Sequence, residues 1–278
     1  MTGAGGLRLA ADVRGDPTMP SILFAPGAGQ TRHAWRRTAE ALAAEGHYVL
    51  SLDLRGHGDS AWAADGNYSI DAFIGDIRSV MATLPDPPIL VGSSIGGIAC
   101  LTAAAEHTAP PARALVLVDV VPGMLGEGLE RIRAFMDAGV AGFADLDAAV
   151  AAVARFLPHR PAGRSGDGLK HNLREGSDRR LYWHWDPVFH AGSKQREAEG
   201  MLARMVTAAS SVRIPTLLVS GARSEVVNRE GAEQLLKLIP QAQWFQVPDA
   251  THMVAGDEND AFGSVLSEFV RRHSSPGN

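Results

Sequence analysis

Six short apolar runs punctuate the chain: Ile22–Ala25, Tyr48–Leu52, Ile89–Val91, Ala114–Val118, Pro215–Val219 and Trp244–Val247. Most are apolar at consecutive positions rather than at alternate ones, the pattern of strands covered on both faces. Between them lie segments with a helical pattern, roughly Ala34–Glu45, Ile70–Leu84, Gly96–His107, Arg229–Leu238 and Asp260–His273. Strand–helix alternation of this kind predicts an α/β fold. Its sheet is mostly parallel and twisted, with helices on both faces and right-handed crossovers. Near the start, Leu7–Val13 is a candidate antiparallel edge strand.

One stretch breaks the rhythm. From about Pro122 to Val212 no strand signal appears; Leu129–Ala138, Leu146–Phe156 and Gln195–Ala209 are helical in pattern, and Pro158–Asp178 is polar and loop-rich. Lying between two sheet strands, this stretch is expected to be an inserted helical cap. The predicted division is a core of residues 1–121 and 213–278 with a cap of residues 122–212. The tail Ser274–Asn278 is expected to fray.

Composition narrows the function classes. The 278 residues are 45% hydrophobic and 21% charged, ordinary for a soluble globular protein. The formal net charge of −5 gives no basic excess for nucleic acid or an anionic membrane. The single cysteine, Cys100, excludes an internal disulfide. The opening residues MTGAGGLRLAADVRGD lack the apolar core of a signal peptide, and no apolar run is long enough to span a bilayer, so a cytoplasmic location is expected. Trp183-His184-Trp185 and His171 lack the spacing of metal ligands. There is no dinucleotide-binding glycine fingerprint and no P-loop lysine, so no cofactor is expected.

The candidate chemistry sits in Leu90-Val91-Gly92-Ser93-Ser94-Ile95-Gly96-Gly97. A strand runs straight into G-x-S-x-G, and a helix of small residues follows. A nucleophile on so sharp a turn needs small residues two before and two after it. For Ser94 these are Gly92 and Gly96; for Ser93 they would be Val91 and Ile95. Ser94 is therefore the candidate nucleophile and Ser93 a turn residue. The first N–H groups of the helix would face developing negative charge.

A serine hydroxyl needs a base. Of ten histidines, His252 is the best placed, in a loop after the last predicted strand and before the last predicted helix. That position completes the chain order Ser…acid…His.

Taken together, these stretches resemble the α/β-hydrolase superfamily over nearly the whole chain, in a bacterial serine-hydrolase branch often labelled hydrolase or cofactor-free peroxidase. Ala25–Trp35 (APGAGQTRHAW) is similar to its oxyanion loop, Asp53–Ser60 (DLRGHGDS) to its D-x-R-G-x-G-x-S turn, Gly92–Gly96 to its nucleophile elbow and Thr251–Asp260 to its histidine loop. The resemblance implies an oxyanion hole from the backbone N–H groups of Ile95 and Ala28. Here the chain departs from the family, which often has His-Gly where this sequence reads Pro26-Gly27. The donor is backbone, so the hole is not lost, but its support must differ. For the triad acid the family usually reads G-x-x-D, where this chain has Gly221-Ala222-Arg223-Ser224-Glu225. Glu225, one residue late, is preferred on topology; Asp119, which ends the run Ala114–Val118, is the alternative. Asp249 reads as a turn residue, and His57 and Asp59 as residues that hold their loop.

The expected substrate contacts are His33, Trp183, Trp185 and Met253. The aromatics of Tyr182–His190 either line an apolar pocket or form the cap's own core. Between Arg155 and Arg180, seven basic residues face three acidic ones, read as a solvated surface. The expected activity is hydrolysis of a small, largely apolar carboxylic ester or lactone. Perhydrolysis by the same triad, a ligand-binding receptor role on the same fold and carbon–carbon bond hydrolysis are the alternatives. The substrate is the expected partner, and oligomeric state is left open.

Overall fold

The computed structural model describes residues 1–106, 112–124, 126–157, 167–192, 200–252, 254 and 260–274. Its centre is a seven-stranded sheet: β1 (Ala11–Arg14), β2 (Ser21–Ala25), β3 (Tyr48–Leu52), β4 (Ile89–Ser93), β5 (Ala114–Val118), β8 (Thr216–Gly221) and β9 (Gln243–Val247). The spatial order is β1-β3-β2-β4-β5-β8-β9. Only β1 is antiparallel to its neighbour; the pairs β2–β3, β2–β4, β4–β5, β5–β8 and β8–β9 are parallel.

The consecutive apolar residues of the strands have a physical cause. Side chains alternate between faces, and both faces here are covered. Leu23, Leu115 and Leu117 pack on one side, in a cluster with Phe73, Ile77 and Ile98. Ile22, Phe24, Val116 and Val118 pack on the other, against Trp35, Leu42, Phe262 and Leu266. The first side carries α2 (Ile70–Met81) and α3 (Ser94–Ala105), and the second carries α1 (Arg36–Ala44) and α10 (Asp260–His273). Removing a buried side chain the size of Phe24 would cost about 3–5 kcal/mol. The helix α9 (Arg229–Leu238) joins β8 to β9.

Between β5 and β8 the chain forms α4 (Gly126–Ala138), α5 (Leu146–Phe156), a short α6 (Asp167–Lys170), a hairpin of β6 (Leu173–Glu175) and β7 (Leu181–Trp183), α7 (Pro187–Ala191) and α8 (Met201–Ser211). The hairpin corrects the all-helical expectation for this stretch. Its strands pair Leu173 with Trp183 and Glu175 with Leu181. Three residues per strand are too few to show a period of two.

The turn after β3 is built from buried charge. Arg55 grips Asp76 of α2 with two bonds of 2.7 Å, and both side chains are almost fully buried. Breaking such a pair from one side costs about 3–5 kcal/mol. Asp53 accepts from the backbone N–H of Arg32 at 2.6 Å and of Asp59 at 2.9 Å. His57 is buried, its Nδ1 2.9 Å from the Arg55 carbonyl and its ring edge-on to Phe189 of α7. These contacts tie the inserted segment to the sheet. Gly58 N–H donates to the His184 carbonyl at 3.0 Å, and Asp186 N–H to the Gly56 carbonyl at 2.8 Å. Among the described residues no helix is long and apolar enough to cross a membrane.

Candidate active site

Three loops at the carboxyl ends of the parallel strands carry the candidate residues. The strand β4 passes without a linker into α3, and Ser94, the first helical residue, has φ +48°. The flanking glycines are set by close approach. A Cβ on Gly92 would stand 2.6 Å from Gly97 Cα, and one on Gly96 would stand 2.4 Å from the Pro26 carbonyl oxygen. Any larger residue would push α3 off the strand or off the Pro26–Gly27 loop. Ser94 is partly exposed whereas Ser93 and Ile95 are buried. A Cβ on Gly27 would lie 3.3 Å from Ser94 Cβ, so that loop rests against the serine.

The strand β5 ends at Asp119, which has φ +49° and no exposed surface. Its carboxylate is held on every side. Oδ1 accepts from Gly221 N–H at 3.1 Å, and Oδ2 accepts from Ser224 Oγ at 2.6 Å and faces His252 Nδ1 at 2.7 Å. With Nδ1 protonated toward the carboxylate, Nε2 is the basic nitrogen of the ring. Ser224 occupies the position where the resemblance places an acid. Its hydroxyl accepts from Val226 and Val227 N–H at 3.1 and 3.0 Å while donating to Asp119.

Glu225, the acid preferred on topology, is placed otherwise. It pairs with Arg131 of α4 at 3.2 Å, a third of its side chain exposed. Because β5 and β8 are neighbours, the ends of both strands lie near His252; of the two carboxylates it is the buried Asp119 that hydrogen-bonds to His252. Asp249 is a turn residue at φ +59°, ion-paired with Arg223 at 2.6 Å.

His33 lies in a short 3-10 turn, Arg32–Trp35, with its ring 4.2 Å from that of His171 in the inserted segment. Its pKa is lowered by burial, then by the Arg32 and His171 charges. Arg32 is held by Asp12 at 2.8 Å, by Asp59 at 2.8 Å and by Asp53. That hydrogen bond from Arg32 lowers the pKa of Asp59. His33 thus belongs to a charged brace and, among the described residues, makes no hydrogen bond, ion pair or ring contact with Ser94 or His252.

Trp183 and Trp185 are buried, with their rings stacked 5.3 Å apart. Phe135 and Phe143 cover Trp183, so it belongs to the inserted segment's core instead of lining open space. Trp185 reaches the site only indirectly, over Gly29 of the loop after β2. Met253 lies outside the described residues. Beside His252 is a narrow pocket that sequence reasoning missed, lined by Ile132, Phe156, Leu157 and Val226, with Arg131 and Glu225 at its edge. The apolar spacing Leu129, Ile132, Phe135, Met136 on α4 was the available signal. Among the described residues no group of three or more His, Cys, Asp or Glu could hold a metal ion.

A strand-to-helix serine, a buried carboxylate and a loop histidine on a mostly parallel sheet define a class. The chain belongs to the α/β-hydrolase fold family, whose model matches residues 20–258. Among its relatives is esterase Rv0045c of Mycobacterium tuberculosis, 28% identical over 260 residues that cover 91% of this chain and 82% of that protein. The 3-hydroxybutyrate-oligomer hydrolase of Cupriavidus necator is 28% identical over 263 residues, covering 90% and 88%. The solved structure of an E-2-(acetamidomethylene)succinate hydrolase superposes with a TM-score of 0.84 at 25% identity, over 97% of each chain.

Proposed function

We propose that this chain is a serine hydrolase that cleaves a carboxylic ester or lactone of a small, largely apolar substrate. Ser94, His252 and Asp119 form its triad. The observation that carries the reading is the 2.7 Å bond between His252 Nδ1 and Asp119, made by a carboxylate with no exposed surface. Family membership and the esterase and hydrolase relatives support hydrolysis as the reaction class.

In this mechanism His252 Nε2 takes the Ser94 proton as Oγ attacks the carbonyl carbon. The carbonyl π electrons move to oxygen, and the backbone N–H groups of Ala28 and Ile95 hold that oxyanion. Each such donor is worth about 3–4 kcal/mol in the transition state. His252 then passes its proton to the leaving alcohol oxygen as the C–O bond breaks. Water attacks the acyl-enzyme as His252 takes one of its protons, and His252 returns that proton to Ser94 Oγ as the acyl C–O bond breaks, releasing the acid and free Ser94. Asp119 keeps the imidazole oriented and stabilises its charged form. The inserted segment acts as a cap over the strand ends.

Initial rates on p-nitrophenyl acetate, butyrate, hexanoate and octanoate test this reading, with Ser94→Ala beside the wild type. Wild type is expected to turn over, fastest on the short chains. Ser94→Ala is expected to lose at least about 10⁴-fold while keeping its circular dichroism. Equal rates for the two proteins, or a wild type inert on every ester, would overturn the proposal.

A further inference from the structure

The loop after β2 raises a problem of support. A backbone N–H serves as an oxyanion donor only if its peptide plane is fixed in advance. The segment Pro26–Gln30 holds two glycines, one of them, Gly29, at φ +75°. Glycine leaves a turn free to move unless something else pins it. Here one side chain does so. Gln30 is 9% exposed, and its Oε1 accepts from Gly27 N–H at 3.0 Å. Gln30's own backbone N–H returns to the Gly27 carbonyl at 3.1 Å. The two bonds close residues 27–30 into a ring. They commit the Gly27 N–H to Gln30, next to Ala28, whose N–H is the loop's oxyanion donor in the proposed mechanism. Gly27 lies between the two partners: a Cβ on it would be 3.2 Å from Gln30 Oε1 and 3.3 Å from Ser94 Cβ. The outer side of the turn is packed too. Trp185 covers Gly29, and Thr31 Oγ1 donates to Asn172 Oδ1 at 3.1 Å.

We infer that Gln30 is the positioning residue of the oxyanion loop: its side-chain amide sets the Gly27–Ala28 peptide planes against Ser94, supplying the support for which Pro26 carries no side-chain hydrogen-bonding group. The inference rests on the serine-hydrolase reading. It also explains why the residue is an amide. A glutamate would accept the same hydrogen bond, but it would set a negative charge beside the oxygen that becomes negative in the transition state.

The test is the second-order rate of labelling by a fluorophosphonate. In that reaction Ser94 Oγ bonds to phosphorus, fluoride leaves with the P–F electrons, the hydroxyl proton passes to His252 and the phosphoryl oxygen occupies the oxyanion position. Wild type, Gln30→Ala and Gln30→Glu are compared, together with kcat and KM on p-nitrophenyl butyrate. Gln30→Ala is expected to label about 10–100-fold more slowly and to lose kcat by the same factor, with KM within about threefold. Gln30→Glu keeps the acceptor for Gly27 N–H but sets a carboxylate beside the oxyanion. Measured well below its melting temperature, it is expected to label more slowly than wild type, and increasingly so relative to wild type as rising pH ionises the carboxylate, a dependence that plain destabilisation would not give. A labelled wild type with Gln30→Ala equally fast, or a loss in KM alone, overturns this inference and leaves the hydrolase reading standing. Gln30→Glu labelling at the wild-type rate at every pH overturns it too. A wild type that is never labelled overturns the hydrolase reading, and this inference with it.

Discussion

The carboxyl edge of the sheet and the inserted segment hold their charged groups differently. At the sheet edge, Asp119 has no exposed surface and His252 is 12% exposed in its side chain. Each is fixed by neighbours on a different strand or loop. In the inserted segment several charged side chains sit at the surface: Arg131 is 51% exposed, and Asp137, which meets His190 at 2.6 Å, is 68% exposed, while Asp186, bonded to Tyr68, is buried. There the holding is done by stacked rings, Trp183 on Trp185 and Phe135 on Phe156, and by Arg180 reaching the Gly142 carbonyl at 2.7 Å. Buried, fully bonded polar groups fix geometry to tenths of an ångström, at the cost of tolerating no change. Ring stacking over apolar surface holds a segment in place but lets side chains be exchanged.

The comparison breaks first at the base. His252→Ala is expected to lower kcat on a p-nitrophenyl ester by on the order of 10⁶, with no comparable loss of thermal stability. A smaller loss than about 100-fold would mean that another group carries the proton. Trp185→Ala attacks the other region. Removing a buried tryptophan is expected to cost about 3–5 kcal/mol of stability, read by urea unfolding. If its cost were under 1 kcal/mol, the stacked rings would not be what holds the inserted segment.

The smallest effect lies between the two regions, at His33 and His171. His33 faces Arg32, Asp12, Asp53 and His171, and its pKa is depressed from the ordinary 6.5. The unfolded chain therefore takes up a proton near that pH which the native His33 declines. By linkage, stability falls as pH drops below 6.5, until the depressed native value is reached. His33→Gln is expected to flatten the fall in Tm between pH 7 and the onset of carboxylate titration. An unchanged slope would remove His33 from the brace.

Much of this architecture was legible in the residues. Runs such as Ala114–Val118 are apolar at every position because both faces of β5 are covered, and their shortness and β-branched residues set them apart from a buried helix such as α3. Ser94 was legible because Gly92 and Gly96 are dictated by backbone contacts, which leave a mark in sequence. The acid of the proposed triad was harder to read. Its identity depends on which of two neighbouring strand ends points its carboxylate inward, and spacing carries no information on that. Serine in place of the usual acid at Ser224 was the one clue; it bridges to Asp119 instead of replacing it. The hairpin Leu173–Trp183 was hidden because three-residue strands show no period. Gln30 was hidden because an amide in a glycine-rich turn looks like any polar loop residue until its partner, Gly27 N–H, is known.

The sharpest single measurement compares kcat/KM on one p-nitrophenyl ester for Asp119→Asn and Glu225→Gln. Asp119→Asn is expected to lose about 10⁴-fold, because the amide cannot hold the imidazole in the working tautomer or stabilise its charge. Glu225→Gln, which weakens only a half-exposed pair with Arg131, is expected to stay within about threefold of wild type. Comparable losses, or the reverse order, would contradict the Ser94–His252–Asp119 triad.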